Sequence, residues 1–372
     1  MERKTLFIMC GSVIAVLLVI LLGLWIATAF TNHYYDYEEA EAKIAEATEK
    51  YYRDNPLYLP TDDGKYNLSY STLVNAEYIK PLGELIEGGE TCSVSITIIK
   101  KNEAFTYIPY LNCGDAYSTR ELATQVIQDN PVTTEGNGLY QDTNGTYYFK
   151  GKIDNNYVAL GTYDSRGEEV NYLWRIISIE NNKVKLRAVS HTGDRTYWDN
   201  RYNTTQKKTT GYNDFDLSIL SEYLKKLENK NDFFSEEEMA KLEPVNLCIG
   251  KRELTDNISK GNLECTILSK DQYLFGTITP YEYMRASGDA ECVSAKSKAC
   301  LNFNFLSESN HSSDWLITTT AENNYQAYVF EGRGFRLNEA YSNKYVFPTI
   351  VLNEFSFVKS GSGTKEDPYR IK

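Results

Sequence analysis

Between Thr5 and Asn32 the chain carries no charged side chain, and Leu6 to Phe30 is almost wholly apolar. At 1.5 Å per residue, twenty-odd helical residues cross the roughly 30 Å hydrocarbon core of a bilayer. The stretch therefore predicts a transmembrane helix over residues 6–30, with the lipid bilayer as its first partner. Arg3 and Lys4 precede it, and Asp36, Glu38, Glu39 and Glu41 follow. Basic residues stay on the cytoplasmic side, so the expectation is a single-pass membrane protein. Its N-terminus would be cytoplasmic and everything after Phe30 extracellular. Ala27-Thr28-Ala29 also has the small-x-small form of a signal-peptide cleavage site. The apolar run exceeds the ~7–15 residues of a signal core, which favours a retained anchor. Either reading exports residues 31–372.

About 340 exported residues exceed one small core, and two domains are the natural expectation. The overall class is α+β. Residues 1–32 form the cytoplasmic tip and anchor. Residues 33–116 form an exported helix plus a small disulfide-closed sheet, and residues 117–138 a linker. Residues 139–372 form a β-rich extracellular domain with a helical insertion near 214–244. The net charge of −12 repels nucleic acid and other polyanions. Thirty tyrosines fit β-rich structure, the sharper alternative being a tyrosine-lined surface for sugar or peptide.

Of the seven cysteines, Cys10 sits in the apolar stretch. The other six form local couples, Cys92/Cys113, Cys248/Cys265 and Cys292/Cys300, each bracketing a loop. Exported and even in number, they read as disulfides paired in sequence order. No C-x₂-C occurs and histidines are only His33, His191 and His311, so no metal or other cofactor is expected.

Ala40, Ile44, Ala47 and Tyr51 recur at helical spacing and stop before Asn55-Pro56. Residues 60–90 read as a short helix and turns. Val94, Ile96 and Ile98 then alternate with polar residues, and Phe105, Tyr107, Pro109 and Leu111 alternate on the return. If Cys92 faces Cys113 across a hairpin, Val94 faces Leu111, Ile96 faces Pro109 and Ile98 faces Tyr107. All the apolar residues then share one face, over a turn at Asn102/Glu103. Residues 118–136 are ambiguous between a capped helix and a strand. Tyr172–Ile179 and Val184–Val189 read as a hairpin over Asn181-Asn182. Lys185 and Arg187 alternate there with apolar residues, predicting one wet face. Leu220, Tyr223, Leu224 and Leu227 predict a helix after Asp214 and Asp216 as candidate caps. Ser235 to Glu238 predict a capping box.

The order Tyr147-Tyr148-Phe149-Lys150-Gly151, Asn155-Asn156-Tyr157-Val158, Trp174-Arg175-Ile176-Ile177, Tyr281-Glu282-Tyr283, Trp315-Leu316-Ile317-Thr318 and Gly361 to Tyr369 carries a resemblance. Residues 139–372 resemble uncharacterised, membrane-anchored surface proteins of gut Firmicutes and wall-less relatives that share a domain of unknown function. The resemblance implies a compact mixed fold of the C-type-lectin or sulfatase-modifying-factor sort. Where that family has Arg-Pro in its penultimate strand, this chain has Phe347-Pro348. Glu243-Pro244-Val245-Asn246 has one residue too many to match the calcium-binding Glu-Pro-Asn of lectins. Residues 6–113 are similar in layout to type IV pilins and pseudopilins, without their peptidase site.

His191 with Asp194 offers acid–base chemistry, against a polar loop after a strand. His311-Ser312-Ser313-Asp314 invites a triad reading, but triads are made by geometry rather than by sequence neighbours. Asp142-Thr143-Asn144-Gly145 reads as a turn with some calcium-loop character. Gly332-Arg333-Gly334 lacks the lysine of a phosphate cradle. Trp174, Trp198 and Trp315 are candidates for a ligand surface, against a packing role. No catalytic, cofactor or metal residue is assigned. The expected function is a non-enzymatic, membrane-tethered bacterial surface protein that binds, displays or adheres, its extracellular ligand a glycan or protein. The alternatives are a surface enzyme acting on cell-wall or host glycans, and a pseudopilin-like subunit. Protease added to intact cells is expected to remove residues beyond Phe30; a protected C-terminus would overturn the exported orientation.

Overall fold

The computed structural model describes residues 34–101, 103–165, 168–229, 234–307, 313–332 and 334–372. The expected anchor over 6–30 lies outside these residues, as do Cys10, His33, Asn102 and His311. No helix among the described residues is long and apolar enough to cross a membrane. The chain divides into two compact units, one ending at Thr119 and the other beginning at Arg120.

In the first unit, helix α1 (Tyr37–Asp54) starts at Asp36, whose carboxylate accepts from the Glu39 N–H at 2.8 Å. Ala40, Ile44 and Ala47 are buried at the helical spacing expected of a core stripe. The helix ends before Asn55-Pro56, where a residue preceding proline resists the α conformation. Strands β1 (Gly64–Ser69), β2 (Ser93–Lys101) and β3 (Ala104–Asn112) form an antiparallel sheet in the order β1-β2-β3. Helices α2 (Tyr70–Asn75) and α3 (Leu82–Leu85) follow β1. Strand β1 falls where the sequence suggested turns, because only Tyr66 and Leu68 mark its alternation.

The β2–β3 register sets Val94 against Leu111, Ile96 against Pro109 and Ile98 against Tyr107. Cys92 and Cys113 are bonded, with Cα atoms 4.2 Å apart. Pro109, which cannot donate to a ladder, lies on the edge strand. Ile96 and Leu111 join Ile44 in one apolar cluster, and Tyr52 stacks on Tyr107 at 5.9 Å.

The second unit begins with helix α4 (Leu122–Asp129), with Leu122, Ala123 and Val126 buried in its core. The stretch expected as a linker thus belongs largely to the domain. Strands β4 (Gly138–Gln141), β5 (Tyr147–Lys150), β6 (Tyr157–Ser165), β7 (Glu168–Glu180) and β8 (Lys183–Ala188) come next. After them come β9 (Arg195–Tyr197), β10 (Tyr202–Asn203), β11 (Lys208–Thr209), β12 (Val245–Cys248) and β13 (Leu268–Tyr273). The last are β14 (Asp314–Thr319), β15 (Gln326–Glu331), β16 (Gly334–Glu339), β17 (Asn343–Tyr345), β18 (Thr349–Leu352), β19 (Val358–Ser360) and β20 (Tyr369–Ile371).

The large sheet runs β18-β8-β7-β6-β20-β19, with the β4–β5 hairpin joined to β7 through β5. A second sheet runs β16-β15-β14-β17-β9. Asn181 and Asn182 take φ of 51° and 60°, as a tight hairpin turn between β7 and β8 requires. Helix α5 (Ile219–Glu228) buries Leu220, Leu224 and Leu227. Its cap is Ser218, whose hydroxyl accepts from Ser221 N–H, rather than Asp214 or Asp216. Helix α6 (Glu236–Met239) carries the expected capping box of Ser235 and Glu238. Helix α7 (Pro280–Arg285) has another, from Thr279 and Glu282. One apolar cluster joins both sheets and α5.

A digest without reduction is expected to link the Cys92 peptide to Cys113 alone. Replacing both cysteines by serine is expected to cost about 3 kcal/mol, read from the urea midpoint of the first unit's transition.

Candidate functional site

The side chains of β8 alternate, and Lys183, Lys185 and Arg187 share one face. That face was expected to be wet. Instead each cation meets a carboxylate from a different element. Lys183 Nζ lies 2.8 Å from Glu243 Oε1, Lys185 Nζ 2.5 Å from Glu282 Oε1, and Arg187 Nη2 3.3 Å from Asp314 Oδ2. The cation side chains are 38%, 26% and 2% exposed in that order, so the row descends from surface to core. Burial raises the Asp314 carboxyl above its usual range, only partly offset by Arg187. Phe347 lies under the Arg187 guanidinium at 4.6 Å.

Between this charged face and the chain around β12, β13 and α7 lies a cleft of about 660 Å³. One wall carries Ser178, Glu180, Lys183, Lys185, Thr349 and Val351 from β7, β8 and β18. The facing wall carries Asn246, Asn262, Tyr281 and the Cys248–Cys265 disulfide. Asp142, Asn144 and Arg285 line it as well. Three cations, Lys183, Lys185 and Arg285, face three acids, Asp142, Glu180 and Glu282, so the lining is balanced in charge. Half of the remaining lining residues are amides and hydroxyls, and the others are aliphatic side chains, glycines and the disulfide.

Glu282 and Asp142 are fixed before any ligand arrives. Glu282 Oε2 accepts from the Thr279 N–H at 2.9 Å to close the α7 cap, while Oε1 holds Lys185. Burial would raise the Glu282 carboxyl, but Lys185, the Thr279 N–H and Arg285 together hold it below its ordinary value. Asp142 Oδ1 accepts from the backbone N–H groups of Asn144 and Thr146, both at 3.0 Å. The Asp142 loop is therefore a hairpin turn between β4 and β5.

The tryptophans do not form a ligand surface. Trp174, Trp198 and Trp315 are 3%, 0% and 0% exposed. Their indole N–H groups donate to the carbonyls of Leu160, Leu316 and Thr196 at 2.9, 3.1 and 3.0 Å. Wide rings with one donor satisfy a core position when a strand carbonyl is in reach, and that is their use here.

The six cysteines of the described residues are bonded in sequence order, Cys92 to Cys113, Cys248 to Cys265 and Cys292 to Cys300. The third couple is more than the staple of a loop that its eight-residue separation suggested. Cys292 and Cys300 are both buried, Cys300 almost completely, and both belong to the apolar core of the second unit. Disulfide sulfur packs as an apolar group, so Cys300 is a core residue and takes no part in the cleft.

His191 Nδ1 accepts from the Gly193 N–H at 3.0 Å, and the ring stacks on Tyr345 at 4.0 Å. Burial and Arg195 lower its pKa, favouring the neutral ring. Among the described residues no group of three or more His, Cys, Asp and Glu is placed to hold a metal.

Three of the segments singled out in the sequence, Asn155 to Val158, Trp174 to Ile177 and the chain at Gly363, form a clamp outside the cleft. Arg175 Nε donates to Asn156 Oδ1 at 2.5 Å, Nη1 to the Tyr157 hydroxyl at 2.7 Å and Nη2 to the Ile153 carbonyl at 2.5 Å. Tyr157 N–H donates to the Gly363 carbonyl at 2.7 Å. At Gly363, with φ +79°, an added Cβ would lie 2.6 Å from the Asn155 carbonyl oxygen, so only glycine fits. Sequence reasoning missed the cleft because its residues come from seven separated segments with no shared motif. The one available signal was Glu282, a lone acid within Tyr281-Glu282-Tyr283.

No family model, no curated protein and no solved structure matches this chain.

Breaking the Lys185–Glu282 pair strands a buried carboxylate. Lys185→Met is expected to cost about 3–5 kcal/mol in chemical unfolding. The native pair holds the Glu282 pKa below 4.5, so its contribution is complete above pH 4.5 and is lost as pH falls. In Lys185→Met burial prevails and that pKa rises, so stability should instead decline as pH climbs above 4.5. An unchanged slope between pH 3.5 and 6 would refute the assignment.

Proposed function

We propose that the chain is a membrane-tethered bacterial surface protein whose exported part binds a glycan in the cleft of the second unit. The observation that carries this reading is the lining itself. A concave site of about 660 Å³, balanced in charge and lined by amides and hydroxyls interspersed with aliphatic side chains, suits a ligand that carries many hydroxyls alongside apolar C–H faces. Sugars meet that description, and tyrosine at the wall adds a flat apolar face.

Binding is preferred to catalysis because two of the cleft's three carboxylates, Asp142 and Glu282, already have partners. A general acid needs a carboxyl raised toward neutrality, whereas Glu282 is held low by Lys185. The tether and its orientation rest on residues 3–41 of the sequence. A pilin-like first unit is supported by one long helix against a three-stranded antiparallel sheet. A lectin-like or sulfatase-modifying-factor-like second unit is supported by the last strand, β20, returning parallel beside β6 near the unit's start.

The test uses the full chain in detergent against a panel of bacterial and host glycans. Saturable binding is expected. Val351→Trp and Asn144→Trp, each placing a ring in the cleft from a different element, should weaken it at least about ten-fold, the loss that follows when close packing in a site is blocked. Binding that survives both variants, or no glycan binding at all, would overturn the reading. Cleavage of a bound sugar that Glu282→Gln abolishes would replace it with the surface-enzyme reading.

A further inference from the structure

The three cations of the cleft are not equally satisfied. Lys183 and Lys185 hold carboxylates at 2.8 and 2.5 Å. Arg285 has five N–H donors, yet among the described residues its side chain makes one hydrogen bond, from Nη1 to Asp142 Oδ2 at 3.4 Å. Charge-assisted bonds of this kind usually run to about 2.7–2.9 Å. Asp142 cannot close the gap cheaply, because its other oxygen is pinned by the Asn144 and Thr146 N–H groups. Nor is the guanidinium free to swing. It lies 4.3 Å from the Tyr148 ring centroid and 5.3 Å from that of Tyr281, and its side chain is only 13% exposed. A rigid, largely desolvated guanidinium with unused donors at the wall of a polar cleft is poised to take an anion in two parallel bonds.

We propose that Arg285 anchors a carboxylate of the ligand, and that the ligand class is a short acidic sugar of the uronic-acid type rather than a neutral glycan. This rests on the cleft being the glycan site. Amides and hydroxyls along the lining meet the sugar hydroxyls, while Arg285 meets the carboxylate. The net charge of −12 and the neighbouring Asp142 limit the ligand to few charges, since a polyanion is repelled before it reaches the cleft.

The experiment is calorimetric titration of the full chain in detergent with three probes. They are a glucuronic-acid disaccharide, the same disaccharide with its carboxyl reduced to the alcohol, and a sulfated neutral disaccharide. The acidic sugar is expected to bind at least about ten-fold tighter than its reduced form, as charged hydrogen bonds of this kind typically give. Arg285→Gln should erase that preference. Asp142→Asn keeps the oxygen that accepts the turn N–H groups and removes the competing charge, so it should increase the preference. A merely structural Arg285–Asp142 pair would not raise acid selectivity on loss of the aspartate charge. Equal binding of acidic and reduced sugars, or a preference that survives Arg285→Gln or falls in Asp142→Asn, overturns the proposal and leaves the cleft reading intact. Preference for the sulfated probe overturns the carboxylate assignment. Failure of all three sugars to bind, with none bound on the wider glycan panel, sinks the cleft reading itself.

Discussion

The row of cations on β8 is the constraint around which the second unit is arranged. Taking charges out of water is costly, and attraction repays the cost only where geometry and extra hydrogen bonds are good. Lys183 and Lys185 recover it from Glu243 and Glu282, and Arg187 recovers it only in part from Asp314, since Arg187 Nε and Asp314 Oδ1 keep no hydrogen-bond partner among the described residues; the three acids lie 60, 97 and 127 residues further on. Each pair therefore ties a distant element to the same strand. The outermost pair, more than a third exposed at the lysine, adds little on its own. The innermost leaves a buried charge if either partner is lost. A one-residue slip of β8 would turn all three cations to the other face and strand their acids, so the row fixes the register as well as the packing. It also explains the cleft. A face of paired charges does not close into a dry core, and where Lys183 and Lys185 meet β12 and α7 the layers part around a polar space.

The cross-strand neighbour of Arg187 on β7 is Arg175, an arrangement of like charges that is destabilising by itself. The two arginines are separated in chemistry. Arg187 takes a carboxylate and the face of Phe347. Arg175 takes an amide oxygen, a phenol and a carbonyl, and lies 4.0 Å over the Tyr157 ring. That second solution needs Asn156 and Tyr157 on β6 at a fixed register and Gly363 pressed against Asn155. The Asn-Asn-Tyr-Val, Trp-Arg-Ile and closing Gly-x-Gly segments are thus parts of one clamp. They would recur together in any chain built this way, whatever its ligand, which is why they bear on fold and not on activity.

What was legible in the sequence was local. Cys92, Cys113 and the alternating apolar residues between them contain enough redundancy to set a hairpin register. Asn181-Asn182 marks a turn because asparagine tolerates positive φ. Ser235 to Glu238 marks a cap. The short spacing of Cys292 and Cys300 marks their bond, though not that Cys300 is packed in the core. What was not legible depended on partners far along the chain. The alternation of Lys185 and Arg187 is the same pattern that a solvent-facing strand would show, and only Glu282 and Asp314 distinguish the two. Trp198 and Trp315 offered the surface aromatics that a binding site favours. Their N–H groups instead close on Leu316 and Thr196, linking β14 to the chain at β9 two strands away, a pairing no local pattern encodes. The cleft follows from the same long-range contacts and was invisible for the same reason.

The wall of the cleft is fastened twice, and the two fastenings suit different surroundings. Cys248–Cys265 closes it covalently over a separation of 17 residues, a loop for which chain-entropy estimates give about 3 kcal/mol. Inside that loop Arg252 and Glu264, both with 0% of their side chains exposed, make two charge-assisted bonds at 2.8 and 3.0 Å. Glu264 also accepts the Tyr281 N–H, which ties the wall to the helix carrying Glu282 and Arg285. The ionic fastening positions the wall, but breaking it would bury an unpaired charge. The covalent one keeps the chain close enough for the ion pair to reform after any local opening. Disulfides form and persist chiefly in oxidising surroundings. A cleft held in this way suits an oxidising compartment, which supports the exported orientation proposed from the first residues of the chain.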